Sequence, residues 1–390
     1  MTEHSLHADW LGRADLAALV GALGAGNARY VGGAVRDTLL GLPVKDIDMA
    51  TVLAPEAVIA RLDAAQIRSV ATGLAHGTVT AVLDGGPVEI TTLRHDVSTD
   101  GRRATVAFAT DWREDAARRD FTINALYADP ETGVISDWFG GLADLAARRV
   151  RFIGDARQRI REDHLRILRY FRFQARFGSQ PADPEAEESC QELAASLKGL
   201  SRERIAMELL NLLDLPDPAP TVARMAQLGV LPVILPEAAP DGLNALVMRE
   251  VAAGFPPDPV RRLAAILPPD PALAEQVAAR LRLSAAYRKR LVTAAARASG
   301  TGPADPLALA YRLGAEGAAD RLLLGSGDLP PAQGWDIPRL PIKGGDVVAS
   351  GVSAGPAVAR ILREVEDRWI AEGFPDEVRV RAILGEVAKA

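Results

Sequence analysis

The stretch Arg29 to Thr51, RYVGGAVRDTLLGLPVKDIDMAT, constrains the fold more than any other part of the chain. A short β-branched and aromatic run, Arg-Tyr-Val, breaks at Gly32-Gly33, and Ala34 to Leu40 then reads as a helix that Gly41 and Pro43 end. This order of strand, glycine turn and helix lets a bulky anion approach the backbone, next to free N–H groups and the positive end of a helix. Asp46-Ile47-Asp48 follows. Side chains two apart on an extended segment share a face, so the two acids point together and Ile47 turns toward the core. Adjacent carboxylates repel unless a cation lies between them, an arrangement that suits a hard ion such as Mg²⁺ when it also binds phosphate oxygens. Taken alone, Asp-x-Asp reads as a solvated strand end and Gly-Gly as an ordinary turn. In this order, with Arg36 and Asp37 in the first helical turn, they are far more specific.

Along the chain, Asp15 to Leu23 and Pro55 to Ala65 have helical patterns, and Thr72 to Leu83 alternates like a strand with a turn near Gly77. The turn Gly85-Gly86-Pro87 leads into Val88 to Arg94, a strand with Glu89, Thr91 and Leu93 on one face. Glu89 reads either as a third carboxylate beside Asp46 and Asp48 or as an edge-strand glutamate facing water. His95 to Asp100 reads as the start of a polar loop through Gly101, and Thr105 to Phe108 as a short strand. His95-Asp96 also invites a metal-dependent phosphohydrolase reading, but His4, His7, His76 and His164 lack the matching spacing. Arg118 to Ala125, RRDFTINA, suggests a helix with Asp120 as N-cap and Asn124 one turn later on the same face. Arg159 to Phe177 is an arginine-rich amphipathic helix in which Asp163 and Arg166 are neighbours, by default a simple intrahelical ion pair.

The chain has 390 residues, 48% of them hydrophobic, and no apolar run of transmembrane length, so a soluble protein of two to four domains with no membrane association is expected. The opening MTEHSLHADWLGRADL lacks a basic start and an apolar core, and a cytoplasmic location is the expectation. Cys190 is the one cysteine, which excludes an internal disulfide and a thiolate metal cluster. The net charge of −6 argues against a nucleic-acid partner, but its distribution argues the other way. Between Arg148 and Arg176, ten arginines stand against Asp155, Glu162 and Asp163. From Thr221 onward the sequence is rich in Ala, Leu and Arg, is broken by Pro and Gly, and contains neither histidine nor cysteine. A helical RNA-holding body is the economical reading.

GGAVRD…DIDMAT, EITTLR, RRDFTINA and EDHLRILR together resemble the signatures of the polymerase-β-like nucleotidyltransferases. They look in particular like those of class II tRNA CCA-adding enzymes and bacterial poly(A) polymerases. The resemblance is strong from Arg29 to Gly178 and weak beyond. Leu340 to Leu362 is similar to a carboxy-terminal segment of bacterial members, with Ala354 where proline is common, and its glycine turns read either as an RNA phosphate grip or as packing. The resemblance implies an α+β architecture: a mixed-sheet head over residues 1–150, a helical nucleotide-selecting neck over 151–214, and a helical tRNA-binding body and tail over 215–390. It implies addition of C, C and A to tRNA from CTP and ATP with Mg²⁺, no protein partner being inferred. Asp46 and Asp48 would hold metal, with Glu89 joining them in catalysis. Gly32, Gly33, Arg36 and Arg119 would face the triphosphate, and Asp120 and Asn124 the ribose. Asp163 and Arg166 would choose the base, with Arg169 near phosphate. The segment after His95 would be a mobile loop used in passing from C to A. A poly(A) polymerase, a CC-only or A-only enzyme, and a catalytically silent RNA-binding relative are the competing readings.

Overall fold

The computed structural model describes residues 4–74, 77–100, 103–299, 305–325 and 336–389. The chain divides into two units, Met1–Pro240 and Asp241–Ala390. The first begins with α1 (Ala14–Leu23), whose Leu16, Leu19 and Leu23 are buried, and continues through β1 (Ala28–Val31), α2 (Gly33–Leu39), β2 (Ile47–Thr51) and α3 (Pro55–Ala64). β3 (Ser69–Gly73), β4 (Thr78–Leu83) and β5 (Gly86–Thr92) follow, then β6 (Arg94–Asp100), β7 (Arg103–Phe108) and α4 (Trp112–Ala117). β8 (Leu126–Ala128) and β9 (Ile135–Asp137) complete a seven-stranded sheet of order β3-β4-β5-β2-β1-β8-β9. Its strands pair antiparallel except β2 and β5, which run parallel with Asp48 opposite Glu89. That register carries both acids to one face at the centre of the sheet. Val31, Ala50, Leu93, Ala125, Tyr127 and Ile153 form a buried cluster, to which Ala50 contributes from the same face of β2 as Asp48.

Three local expectations change. The segment from His95 to Asp100 is not a loop but β6, paired with β7 in a separate two-stranded sheet; the turn residues Gly101 and Arg102 lie outside the described residues, as does His76. Its polar composition hid a strand that pairs with a single neighbour. RRDFTINA does not form a helix capped by Asp120. Phe121 bridges Phe152, and a single 3-10 turn, Thr122–Asn124, follows. Asp120 still accepts hydrogen bonds from the Phe121 N–H (2.8 Å) and Asn124 Nδ2 (2.9 Å), so the local polar geometry survives without the helix. Finally, the arginine helix is two helices. After α5 (Gly141–Ala146), α6 (Ala156–Glu162) stops at Asp163, where the backbone is extended (φ −150°, ψ 105°), and α7 (Arg166–Phe177) starts afresh. The rest of this unit comprises α8 (Pro184–Glu192), α9 (Arg202–Leu213), α10 (Ala219–Gln227) and α11 (Leu231–Ile234). Cys190 is buried on α8, and burial pushes its thiol well above the usual range, in keeping with inert packing.

The second unit is helical throughout its described residues: α12 (Asp241–Ala252), α13 (Pro259–Ala265), α14 (Pro271–Arg280), α15 (Ala285–Ala295), α16 (Pro306–Leu324, interrupted at Gly314), α17 (Gly344–Ala349), α18 (Pro356–Ala371) and α19 (Glu377–Val387). None is long and apolar enough to cross a membrane. Ile342, Val347, Ile361, Val365 and Trp369 share one core, while of the glycines between them only Gly344 has a neighbour close to where a Cβ would stand, Val358 at 3.5 Å. A second interior is ionic. Glu250, 1% exposed, accepts from Arg261 Nε (2.6 Å) and Arg262 Nε (2.8 Å), and Asp320, fully buried, accepts from Arg290 Nε (2.6 Å). Glu250→Ala takes away the acid to which both buried arginines donate, and is expected to cost about 3 kcal/mol of stability. A fall in the urea midpoint is the readout, and a loss below about 1 kcal/mol would mean that the site is solvated.

Candidate active site

The acid corner comes first. Ile47 is buried, which turns Asp48 to the opposite side of β2, where it is partly buried; Asp46 lies just before the strand and is exposed. The parallel register sets Glu89, also exposed, beside Asp48. Burial, and then the charges of Glu89 and Asp46, hold the Asp48 carboxyl above its usual range, while the field of Arg119 opposes them. No ion pair links Asp46, Asp48 or Glu89 to a cation among the described residues. Nor do three His, Cys, Asp or Glu side chains converge there tightly enough to enclose a metal by themselves. Oxygen donors of like charge, crowded and short of a full ligand set, fit a hard divalent ion that draws its remaining ligands from a substrate.

An open cleft of about 370 Å³ adjoins this corner, a size suited to a small-molecule ligand. The entry to α2 contributes Gly32, Gly33 and Arg36, and β2 contributes Asp48. Arg119, Asp120 and Asn124 come from the second motif, and Asp163, Arg166, Arg169 and Phe173 from the break between α6 and α7 and the turns after it. Asp46 and Glu89 stand outside this lining. Gly32 has a positive φ of 66°, a conformation that calls for glycine, and a Cβ there would stand in ordinary contact with Arg119 Nη1 at 3.4 Å.

A line of hydrogen bonds fixes the wall. Arg36 donates from Nη1 to Asn124 Oδ1, Asn124 donates from Nδ2 to Asp120, and Arg169 places Nε (2.8 Å) and Nη2 (2.5 Å) on Asp120 Oδ2. Burial pushes the Asp120 carboxyl up, but the Arg169 charge and the donors around it outweigh burial and hold it below its usual range. Arg169 therefore spends its fork on Asp120, with Glu208 at 3.7 Å behind it.

Asp163 and Arg166 do not pair with each other. Asp163 accepts from the Leu165 N–H (3.1 Å) and from Arg204 Nη2 (2.7 Å). Arg166 donates from Nη1 to Glu162 (2.7 Å) and to the Arg159 carbonyl (2.8 Å), and from Nη2 to the Arg118 carbonyl (3.1 Å). Each is held from behind, and both line the cleft. The sequence reading overlooked three residues here: Phe173, Arg204 and Glu208. Glu208 was detectable, since it interrupts the apolar stripe of Ile205, Leu209 and Leu212 on α9, and a buried acid demands cations. It takes Arg172 Nε at 2.6 Å. Arg204 gave no comparable signal, because an arginine near a helix start ordinarily faces water. Phe173 sat among other aromatics, and its special position appears in the arginines over its ring: Arg36 (5.4 Å), Arg169 (5.4 Å) and Arg172 (4.8 Å).

The chain is similar to known proteins over most of its length. The family described as "Poly A polymerase head domain" matches residues 28–151, and "Probable RNA and SrmB-binding site of polymerase A" matches residues 182–241. The chain is 37% identical over 367 residues to the human protein named CCA tRNA nucleotidyltransferase 1, mitochondrial, covering 90% of this chain and 84% of that one. It is 45% identical over 193 residues to a CCA-adding enzyme of Streptococcus pyogenes, covering 48% of this chain and 46% of the relative. The crystal structure of the Bacillus stearothermophilus CCA-adding enzyme in complex with CTP superposes with a TM-score of 0.72 at 26% identity, over 96% of this chain and 97% of that one.

The raised carboxyl of Asp48 carries a sign. A folded-state pKa above the unfolded one means that ionised Asp48 costs stability, a cost present above the folded pKa and relieved as pH falls through it. In metal-free protein, Asp48→Asn should therefore raise the melting temperature at neutral pH and flatten its rise on mild acidification. The same substitution should remove most of the stabilisation that added divalent ions give the unmutated protein. A lower melting temperature for the asparagine variant at neutral pH would contradict the strain assigned to this corner.

Proposed function

The chain belongs to the family of the CCA tRNA nucleotidyltransferases, and from that premise we propose how its cleft adds C, C and then A to the 3′ end of tRNA from CTP and ATP. The observation that carries the proposal is the meeting of three distant segments, Gly32–Asp48, Arg119–Asn124 and Asp163–Phe173, around one cleft beside uncompensated acids. The reaction transfers a nucleotidyl group: the primer 3′-oxygen bonds to the α-phosphorus, the bond from that phosphorus to the β-phosphate bridge breaks, and pyrophosphate leaves. Family membership brings use of a divalent metal, and we assign Mg²⁺ to Asp46 and Asp48, with Glu89 alongside. Bound there, it would activate the hydroxyl and offset the charge of the triphosphate.

Arg119 and the Gly32-Gly33 turn take the triphosphate, and Asp120 with Asn124 takes the ribose, whose 2′-hydroxyl can both donate and accept. Arg36 is committed to Asn124 and to Asp37, with which it forms an ion pair at 2.7 Å, so it orients Asn124 and adds positive charge to the cleft wall. Arg169 does the same for Asp120. Asp163 accepts from the exocyclic amino group and Arg166 donates to the ring acceptor beside it, a pattern shared by cytosine and adenine. Guanine and uracil present a carbonyl and a ring N–H instead, and each unpaired contact costs about 1–3 kcal/mol. Residues 1–150 act as the catalytic head, 151–214 as the nucleotide-selecting neck and 215–390 as the tRNA-holding part. The proposed location is cytoplasmic, whereas the human relative's name places that protein in mitochondria.

Purified protein given tRNA lacking its last three nucleotides and each labelled NTP tests this reading. CMP, CMP and AMP should be incorporated in turn; long tracts from ATP alone would identify a poly(A) polymerase instead. Asp48→Ala should abolish incorporation. Asp163→Ala should raise misuse of UTP and GTP relative to CTP by roughly tenfold to a hundredfold, more than it slows addition. Arg204→Ala should shift base choice in the same direction by a smaller factor. Undiminished rejection of UTP and GTP in both variants would remove the selecting role from Asp163.

A further inference from the structure

A buried acid outside the cleft is tied to one of its walls. Asp115 on α4 is 4% exposed, and nothing in the reaction as described uses it. Its Oδ2 accepts from the Tyr127 hydroxyl (2.5 Å) and from Arg119 Nη2 (3.3 Å), while Arg119 Nε donates to the Tyr127 oxygen at 2.9 Å. Tyr127 is fully buried in β8, with Trp112 (6.0 Å) and Trp138 (5.5 Å) against its ring edge-on, so its hydroxyl is a fixed point. The other oxygen, Oδ1, accepts from the backbone N–H of Arg94 at 3.1 Å and stands 3.9 Å from Arg118 Nε. Arg94 opens β6, and the Ala109 N–H closes the root of the β6–β7 ribbon on the Leu93 carbonyl at 2.8 Å. One carboxylate thus grips the root of the ribbon with one oxygen and the back of the Arg119 guanidinium with the other.

Arg119 has five N–H groups. One meets Tyr127, one meets Asp115, and Nη1 makes a long contact with the Asn124 carbonyl at 3.5 Å, which leaves one N–H on each terminal nitrogen for a ligand in the cleft that Arg119 lines, with Nη1 next to the Gly32 turn. We infer that Asp115, directly and through Tyr127, is a positioning residue that aims Arg119 at the triphosphate and ties that aim to the ribbon root. The inference rests on the assignment of Arg119 to the triphosphate made above. Because the guanidinium fork is planar and rigid, fixing its back edge fixes the direction of the free donors, which a lysine at the same place could not reproduce.

The test is a set of double-substitution cycles in the full chain. Asp115→Asn keeps the shape of the side chain and removes its charge, Tyr127→Phe breaks the relay, and Arg119→Lys keeps the positive charge and loses the fork. The steady-state constants for CTP and ATP would be measured, together with equilibrium binding of CTP and of CMP. Asp115→Asn and Tyr127→Phe should each raise KM for CTP and for ATP by the same factor, about tenfold for a lost hydrogen bond to a charged group. CTP binding should weaken while CMP binding holds. In an Arg119→Lys background neither change should add more than about twofold, since residues acting through one group are not additive. Losses that multiply in the double variants, or CMP binding that falls as far as CTP binding, would overturn the inference. Thermal melting checks folding, and if Asp115→Asn fails to fold, Tyr127→Phe carries the same cycle alone. Should the unmutated protein fail to extend tRNA, the functional reading falls, while the comparison of CTP with CMP still decides the role of Asp115.

Discussion

Asp120 is the contact on which the geometry of the cleft depends. It is 8% exposed, and its two oxygens serve different parts of the structure: Oδ1 holds the Phe121 N–H and Asn124, and Oδ2 holds Arg169. Because the Asn124 amide gives its nitrogen to Asp120, its oxygen must turn toward Arg36, an orientation set by the network. The line then runs from α2 through the 3-10 turn to α7, and on through Glu208 to Arg172. A buried ionic line of this kind adds little net stability compared with apolar packing, but each member is costly to leave unmatched. Its value is geometric, because it fixes the spacing between the wall proposed to receive phosphate and ribose and the wall proposed to receive the base.

The same pairing explains how an acidic chain accommodates an arginine-rich segment. Read as a sum, the residues from Arg148 to Arg176 should present a strong positive surface. In the structure most of those charges are answered. Arg149 and Arg151 meet Asp144, Arg157 meets Glu192, Arg159 and Arg166 meet Glu162, Arg169 meets Asp120, Arg172 meets Glu208 and Arg176 meets Asp37. Neutralisation directs each guanidinium instead of leaving it as a point charge in water. The field that remains in the cleft comes from a few donors left over in fixed directions, a better device for a polyanion of defined shape than a diffuse patch.

The sequence disclosed the site more completely than it disclosed the elements that hold it. Gly32, Gly33, Asp48, Arg119, Asp120, Asn124, Asp163 and Arg166 were all readable because their chemistry requires particular residue types at short spacing, and short spacing survives small errors of backbone assignment. Asp120 and Asn124 meet although the helix expected to join them is a single 3-10 turn. Asp163 and Arg166 both reach the cleft although the helix expected to carry them breaks between them. What stayed hidden is the long-range pairing. Nothing in EDHLRILR announces that Asp163 is held by Arg204, forty-one positions on, or that the ring of Phe173 lies beneath three arginines. Of the two ribbon strands, Thr105 to Phe108 was read as one and lies in β7, whereas Arg94 to Asp100 was misread from His95 onward, since a strand in a separate two-stranded sheet need not show the alternation by which strands are recognised.

Selection of a base by side chains alone requires that the selecting atoms be unable to turn toward the wrong pattern. A carboxylate free to rotate in water would exchange a missing amino group for a solvent molecule at almost no cost, and the penalty that discriminates would vanish. Here the two side chains proposed as selectors are restrained unequally. Arg166 has a side chain 14% exposed and gives three hydrogen bonds to protein oxygens, so its remaining donors point one way. Asp163 is 33% exposed and is steadied by one backbone N–H and by Arg204, itself 38% exposed. The drier and more rigid partner sets the larger penalty. Under the proposed assignment, a base that offers a ring N–H to Arg166 would therefore be refused more firmly than one that merely withholds an amino group from Asp163. The proposed preference for cytosine and adenine would then rest first on the ring acceptor and second on the exocyclic donor.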